Sequence, residues 1–132
     1  MVESVIEFRL DPTSGMPPYR QIVHQVQQAL RLGLLHPGDQ LPTVKEVVGQ
    51  IAINPNTVLK AYRELEHEGL AAGRPGVGTF ITRSLAGESL AAHRGLQRDL
   101  SRWIMKARTA GLDDASIAAL FDSTLRGAEG VA

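Results

Sequence analysis

Apolar side chains recur about every three to four residues over residues 18–34, with glutamines and charged residues between them. This spacing puts the apolar residues on one side of a helix and predicts an amphipathic helix over that range. A shorter pattern precedes it: Ile6, Phe8 and Leu10 alternate with charged residues, which predicts a half-buried strand over residues 5–10. Three prolines and a glycine within residues 11–18 predict a loop between the two elements.

Two short helices with clear start signals follow. Thr43 and Glu46 have the spacing of a capping box, and Asn54 is a preferred N-cap followed by Pro55 at the first helical position. The first of these helices is expected to end near residue 51, and Gly69 supplies a left-handed stop for the second. The predicted buried stripe of that second helix consists of Val58, Ala61, Tyr62 and Leu65. Two helices joined by such a short turn form a helix-turn-helix.

The rest of the chain predicts a hairpin and two further helices. Residues 70–73 and 78–82 are expected to form strands around the turn-rich segment 74–77, so a β wing follows the helix-turn-helix. A long helix is predicted over residues 88–110, and then a last helix, capped by Asp113 or Asp114, that frays from Gly127. The predicted fold is mainly α, a winged helix-turn-helix of three helices and a small antiparallel wing over residues 1–83, with a two-helix hairpin over residues 84–132.

Composition restricts the possible functions without identifying a partner. A chain of 132 residues with 43 % apolar content is one domain, or one small domain with an appendage. Fourteen basic residues balance fourteen acidic ones, so a nucleic-acid partner must be argued from where the cations lie. The chain has no cysteine, signal peptide or membrane-spanning run, which predicts a cytoplasmic protein.

Enzyme chemistry is not expected. The glycine-rich segment 73–79 lacks the lysine of a phosphate-binding loop and is predicted to continue as a strand. The four histidines lie on separate elements, and no carboxylate pair is placed for acid and base catalysis. We therefore expect no catalytic residues, no metal and no cofactor.

The face of the third helix opposite its buried stripe has a composition that suggests DNA recognition. Asn56, Lys60, Arg63 and His67 fall on one line, and Thr57 flanks it near the start of the helix. Amide, ammonium and hydroxyl donors in this position match what the major groove presents, although a solvated helix face is the alternative interpretation. Lys45 on the second helix is expected to contact the DNA backbone, and Arg74 at the wing tip is expected to reach the minor groove or a phosphate.

Several motifs in order resemble the winged-helix domain of the GntR (gluconate-repressor) family, within residues 35–46, 54–58, 61–66, 68–70 and 76–81. The Asn-Pro-Asn-Thr start of the third helix and the short tail resemble the small YtrA-type branch. The resemblance implies a cytoplasmic dimeric transcription regulator, commonly a repressor and often of transporter operons. The candidate DNA-binding residues are Thr43, Lys45, Asn54, Asn56, Thr57, Lys60, Arg63, Arg74, Pro75 and Gly76.

Three positions depart from the family pattern. Lys45 replaces the usual arginine and lacks its bidentate fork, so phosphate contact is safer to infer than base reading. Ala52 stands where a turn glycine is usual, and a left-handed conformation there would cost about 1–2 kcal/mol. Leu59 stands where many relatives are polar or basic; it either touches a thymine methyl group or is simply exposed.

Two amphipathic helices cannot enclose a core alone, so the tail needs a partner surface. A second copy of the same hairpin would form a two-fold interface, and folding back on the chain's own first domain is the alternative. The predicted interface residues are Leu96, Leu100, Trp103, Ile104, Ile117, Leu120 and Phe121. A dimer predicts a palindromic operator in double-stranded DNA. The rival functional class is a winged-helix module that binds protein, and the sequence identifies no small-molecule effector.

Overall fold

The computed structural model describes residues 6–86 and 93–130, which lie in two compact units, Met1–Leu90 and Ala91–Ala132. The elements are α1 (Pro18–Arg31), α2 (Val44–Gln50), α3 (Pro55–His67), β1 (Ala71–Arg74), β2 (Gly78–Ile81), α4 (Arg94–Thr109) and α5 (Asp114–Gly130). The predicted fold class, a winged helix-turn-helix followed by two helices, is confirmed. The predicted domain boundary between residues 83 and 84 stays a prediction, because residues 87–92 lie outside the described part.

The core of the first unit lies between α1, α2 and α3. All four residues of the predicted α3 stripe are buried, and they pack with apolar side chains of α1 and with Val47 of α2. The fully buried side chains include Ile22, Val26, Leu30, Leu35, Leu41, Val47, Val58, Leu65 and Ile81. This core holds the opposite face of α3 towards solvent.

The predicted helix starts are confirmed in detail. The Thr43 hydroxyl accepts from the Glu46 backbone N–H at 3.1 Å, and the Thr43 N–H donates to the Glu46 carboxylate at 3.2 Å. Asn54 Oδ1 accepts from the Asn56 N–H at 2.8 Å. Among the described residues only glycines have positive φ, so the turn at Ala52 carries none of the left-handed strain considered above.

Helix α1 ends at Arg31, three residues earlier than predicted. Gly33 adopts a φ of +72°, and the Leu34 N–H donates to the Ala29 carbonyl at 2.8 Å, so the chain leaves the helix axis there. Leu34, which fits the apolar period, is exposed, and Leu35 is buried in its place. A prediction from the hydrophobic period alone therefore placed the end of the helix too late in the chain.

The predicted N-terminal strand is wrong. Residues 6–10 form no strand, although Phe8 is buried as the alternation implies; residue 5 lies outside the described part. The Arg9 N–H donates to Gln25 Oε1 at 3.0 Å, and the Arg9 carbonyl accepts from Gln25 Nε2 at 2.6 Å. A side-chain amide of α1 thus supplies the backbone pairing that a second strand would have supplied.

The wing is larger than the predicted hairpin. Strands β1 and β2 are antiparallel, with Ala71 opposite Ile81 and Arg74 opposite Gly78. The segment 38–41, for which no strand was predicted, pairs with the other edge of β2. The Leu41 N–H donates to the Thr79 carbonyl at 2.9 Å, and the Ile81 N–H donates to the Asp39 carbonyl at 2.8 Å. The wing is therefore tied to the segment that leads into α2.

The second unit is a helical hairpin. The rings of Trp103 on α4 and Phe121 on α5 have centroids 6.5 Å apart. Gly111, with φ of +97°, ends α4, and the Asp113 carboxylate accepts from the Ser116 N–H at 2.8 Å, so Asp113 is the cap. Residues 88–92 of the predicted long helix lie outside the described part. Helix α5 continues to Gly130, three residues past the point from which the tail is predicted to fray, and the fraying itself stays a prediction.

Candidate nucleic-acid interface

A buried hydrogen bond holds α3 against the start of α2. The Tyr62 hydroxyl donates to the Pro42 carbonyl at 2.5 Å. Burial, together with the negative charge of Glu46, raises the pKa of Tyr62 well above its usual range. The hydroxyl therefore stays protonated and remains a donor, which keeps the two helices of the helix-turn-helix in a fixed relation.

The predicted recognition face of α3 points to solvent. Asn56, Lys60, Arg63 and His67 are exposed, and Thr57 is half-buried. The side-chain oxygen of the cap Asn54 is occupied by the Asn56 N–H, so its amide nitrogen is the group that can donate to a ligand. The face therefore presents amides, one hydroxyl and cations along the first three turns of the helix.

The cations predicted to contact DNA have no acidic partner among residues 6–86 and 93–130. Among the described residues, no carboxylate forms an ion pair with Lys45, Lys60, Arg63 or Arg74. The carboxylate of Glu68, near the end of α3, instead accepts from Gln27 of α1 at 2.8 Å. In the described part of the chain, no ion pair thus competes with phosphates for these four positive charges.

A shallow open groove runs between the N-terminus of α2 and the wing. Its lining residues are Thr43, Gly73, Arg74, Pro75, Gly76, Val77, Gly78 and Thr79. Gln40 Nε2 donates to the Val77 carbonyl at 3.2 Å, which ties the wing turn to the segment before α2. Gly76 has φ of +75°, a conformation that the turn requires and that other residues rarely adopt. The groove brings together four of the ten predicted DNA-binding residues, Thr43 and Arg74 to Gly76.

The other six predicted residues lie on α2, on α3 or, for Asn54, at the N-cap of α3. No hydrogen bond among the described residues joins their side chains to those lining the groove. Two aromatic neighbours of the predicted cations were missed. The Arg74 guanidinium carbon lies 4.7 Å from the Phe80 ring centroid, and Lys60 Nζ lies 4.1 Å from that of Tyr19. The observed register makes residues 74 and 80 diagonal neighbours on one face of the hairpin, whereas residue 74 was predicted to lie in the turn. The second contact spans 41 positions and has no local signal.

Two alternative sites find no support in the geometry. The glycine-rich segment leads into strand β2 and not into a helix, so its amides cannot form a phosphate-binding loop at a helix start. In residues 6–86 and 93–130, no three His, Asp or Glu side chains lie together as metal ligands would. No helix in these ranges is long and apolar enough to cross a bilayer.

Comparisons with known proteins agree with this geometry. The family model described as bacterial regulatory proteins, gntR family, matches residues 18–81. The HTH-type transcriptional repressor YtrA of Bacillus subtilis is 45% identical over 76 residues, which are 58% of this chain and 58% of the repressor.

Two solved structures extend the comparison. YtrA from Sulfolobus acidocaldarius, a GntR-family transcription factor, aligns with a TM-score of 0.54 at 26% identity over 75% of this chain and 97% of that chain. AraR(DBD) in complex with operator ORX1 aligns with a TM-score of 0.51 at 25% identity, over 61% of this chain and 100% of that chain. The family model covers the winged helix-turn-helix, so residues 18–81 of this chain form a helix-turn-helix domain of the gntR family of bacterial regulatory proteins.

Proposed function

We propose that this chain is a sequence-specific DNA-binding transcriptional repressor that acts in the cytoplasm and binds a palindromic operator as a homodimer. The observation that carries the proposal is the exposed polar face of α3, together with four cations on and beside it that pair with no carboxylate in the described residues. The YtrA repressor and the operator complex of AraR(DBD) support it by similarity. Control of a transporter operon is the gene context that we propose.

The residues divide by the part of DNA they can reach. Asn56 and Thr57, on the first turn of α3, are placed to read base edges, because the start of a recognition helix enters the major groove. Thr43 at the N-cap of α2, Lys45 on its first turn and Arg74 on the wing are placed for phosphates, and phosphate contacts fix the register of the protein on the duplex. Base reading therefore depends on fewer side chains than the overall affinity for DNA does.

The proposed dimer rests on the apolar surface of the second unit. In its described part only Ala107 and Ile117 are buried. Several predicted interface side chains are exposed, from 41% for Leu100 to 68% for Leu96. A groove on this unit is lined by Leu100, Trp103, Ile104, Arg108, Asp114, Ile117, Ala118 and Phe121. An apolar surface of this kind is typical of an interface, and a second hairpin of identical shape fits it through two-fold symmetry.

The first prediction concerns the salt dependence of binding. A palindromic duplex selected from a random pool is expected to bind at least about 10³-fold more tightly than a scrambled duplex. The logarithm of the affinity should fall linearly with the logarithm of the salt concentration. Lysine and arginine side chains that bind phosphates displace the salt cations condensed on the DNA, and added salt opposes this release. Fluorescence anisotropy between low and physiological salt measures both quantities. Absence of binding at low salt would remove the proposal and favour the protein-binding module.

The second prediction separates base reading from phosphate contact. Asn56→Ala is expected to lose about 1–3 kcal/mol of discrimination at one operator position. Lys45→Ala should instead weaken binding equally for all sequences and reduce the salt slope by about 1. Arg126→Ala, which removes an exposed cation paired with Asp122 at 2.8 Å, is the control and should change neither quantity. Equal, sequence-blind losses from Asn56→Ala and Lys45→Ala would contradict this division.

A further inference from the structure

The ammonium group of Lys60 lies against an aromatic ring of another helix. Its Nζ is 4.1 Å from the ring centroid of Tyr19, within the range of about 6 Å at which a cation is attracted to a ring face. Tyr19 lies on the first turn of α1 and is half-buried against the core, so the ring has a fixed position. Lys60 lies on the second turn of α3.

This contact changes where the charge of Lys60 is presented. On a helical wheel, Lys60 shares the exposed stripe with Asn56 and Arg63, and a freely moving lysine there would point its ammonium along the same line. The ring instead draws the ammonium sideways, to the seam between α3 and α1. Arg63 has no such aromatic contact in the described part of the chain.

The location of the seam favours phosphate over bases. Base edges are read by the N-terminal residues of a recognition helix, and the phosphates border the groove on either side of it. Asn56 and Thr57 occupy that N-terminal position, one turn before Lys60. An ammonium held at the side of the helix, with its remaining N–H groups directed away from the ring, is suited to a phosphate oxygen as a point charge.

We propose that Tyr19 is a positioning residue that holds the Lys60 ammonium for a DNA phosphate, so that Lys60 contributes sequence-independent affinity. This inference rests on the proposed DNA-binding function and assigns Lys60 to the phosphate contacts, in place of the base reading expected from its position on the helical wheel. It also makes α1, whose packing is otherwise structural, part of the DNA-binding surface.

The test compares Lys60→Ala, Tyr19→Leu, Tyr19→Phe and the double variant Lys60→Ala with Tyr19→Leu, on the operator and on a scrambled duplex. Lys60→Ala should weaken binding to both duplexes by the same factor and reduce the salt slope by about 1. Tyr19→Leu should weaken both by about 2–5-fold, because the ring contact is lost. Tyr19→Phe keeps the ring face and should bind like the parent. The double variant should bind like Lys60→Ala alone, since the two residues act through one contact.

A second readout needs no DNA. In the free protein the methylene protons next to the Lys60 ammonium should show an upfield ring-current shift in the NMR spectrum, which Tyr19→Phe retains and Tyr19→Leu loses. A parent chain without this shift would overturn the proposed contact. A thermal melt of each variant distinguishes unfolding from loss of the contact between Lys60 and Tyr19. If Tyr19→Leu does not fold, the ring-current shift in the parent and in Tyr19→Phe still tests that contact.

Two outcomes of the binding test would overturn the inference. A selective loss of operator affinity in Lys60→Ala would make Lys60 a base reader. A further loss from Tyr19→Leu in the Lys60→Ala background would show that Tyr19 acts independently of Lys60. Failure of the proposed function is distinguishable from both, because the parent chain would then show no preference for the operator before any variant is compared.

Discussion

Replacing Leu65 by alanine is expected to lower the free energy of unfolding of the first unit by about 2–5 kcal/mol. Leu65 is fully buried on α3, and the cavity left by the shorter side chain would lie in the cluster shared with α1 and α2. Small domains are stable by only about 5–15 kcal/mol, so this loss is a large fraction of the total. Urea denaturation followed by circular dichroism measures it, with an unchanged slope showing that the variant still unfolds as one unit.

The matched control is Leu59→Ala on the same helix. Leu59 is 37% exposed, and its truncation should change the free energy of unfolding by no more than about 0.5 kcal/mol. The two leucine-to-alanine substitutions lie six residues apart, and the difference between their effects on the free energy of unfolding tests which face of α3 is buried. Similar losses at both positions would contradict the orientation of α3, and with it the assignment of Asn56 and Thr57 to the exposed face.

Helix α3 was predictable because its signals are local. Asn54 and Pro55 mark its start, Gly69 marks its end, and the period of the apolar residues identifies the buried side. The capping box of α2 is equally local, since its two partners are three residues apart. The exposed side of the helix is the one opposite the buried stripe. The exposure of the candidate recognition face could therefore be predicted from the sequence.

Features that depend on distant partners were not predictable in the same way. The alternation at residues 6–10 signals half-burial but does not reveal whether a strand is available to pair with; here Gln25 of α1 replaces it. The segment 38–41 follows Pro37 and begins with Gly38, both typical turn residues, yet it completes the wing because β2 leaves an edge open beside it. In both places the deciding partner lies outside the local window.

The candidate site shows the same limit at the level of single side chains. The helical wheel assigns Lys60 to the line of Asn56 because it describes only the direction of the Cα–Cβ bond. The ammonium lies several bonds further out, where Tyr19 of another helix determines its position. Tyr62 is similar: its place in the buried stripe was predictable, but its bond to the Pro42 carbonyl required the fold.

Trp103→Asp is expected to convert the proposed homodimer into monomers. Trp103 lies on the apolar side of α4, packs against Phe121 and lines the groove that a second hairpin would cover. A carboxylate in that interface would be buried without a partner, and its desolvation is costly enough to exceed the affinity of a modest interface. Light scattering coupled to size exclusion should show half the parent mass, with helical content by circular dichroism retained.

The control for the interface is Met105→Asp. Met105 is 67% exposed on the same helix and points away from Trp103 on the helical wheel, so this variant should remain dimeric. Loss of the dimer should also weaken binding to the full palindrome by about 10²–10⁴-fold, because the second half-site is no longer bound intramolecularly. Affinity for a single half-site should be retained, since the α3 face is unchanged. A Trp103→Asp chain that stays dimeric would place the interface elsewhere, and a monomeric parent chain at the same concentration would contradict the homodimer itself.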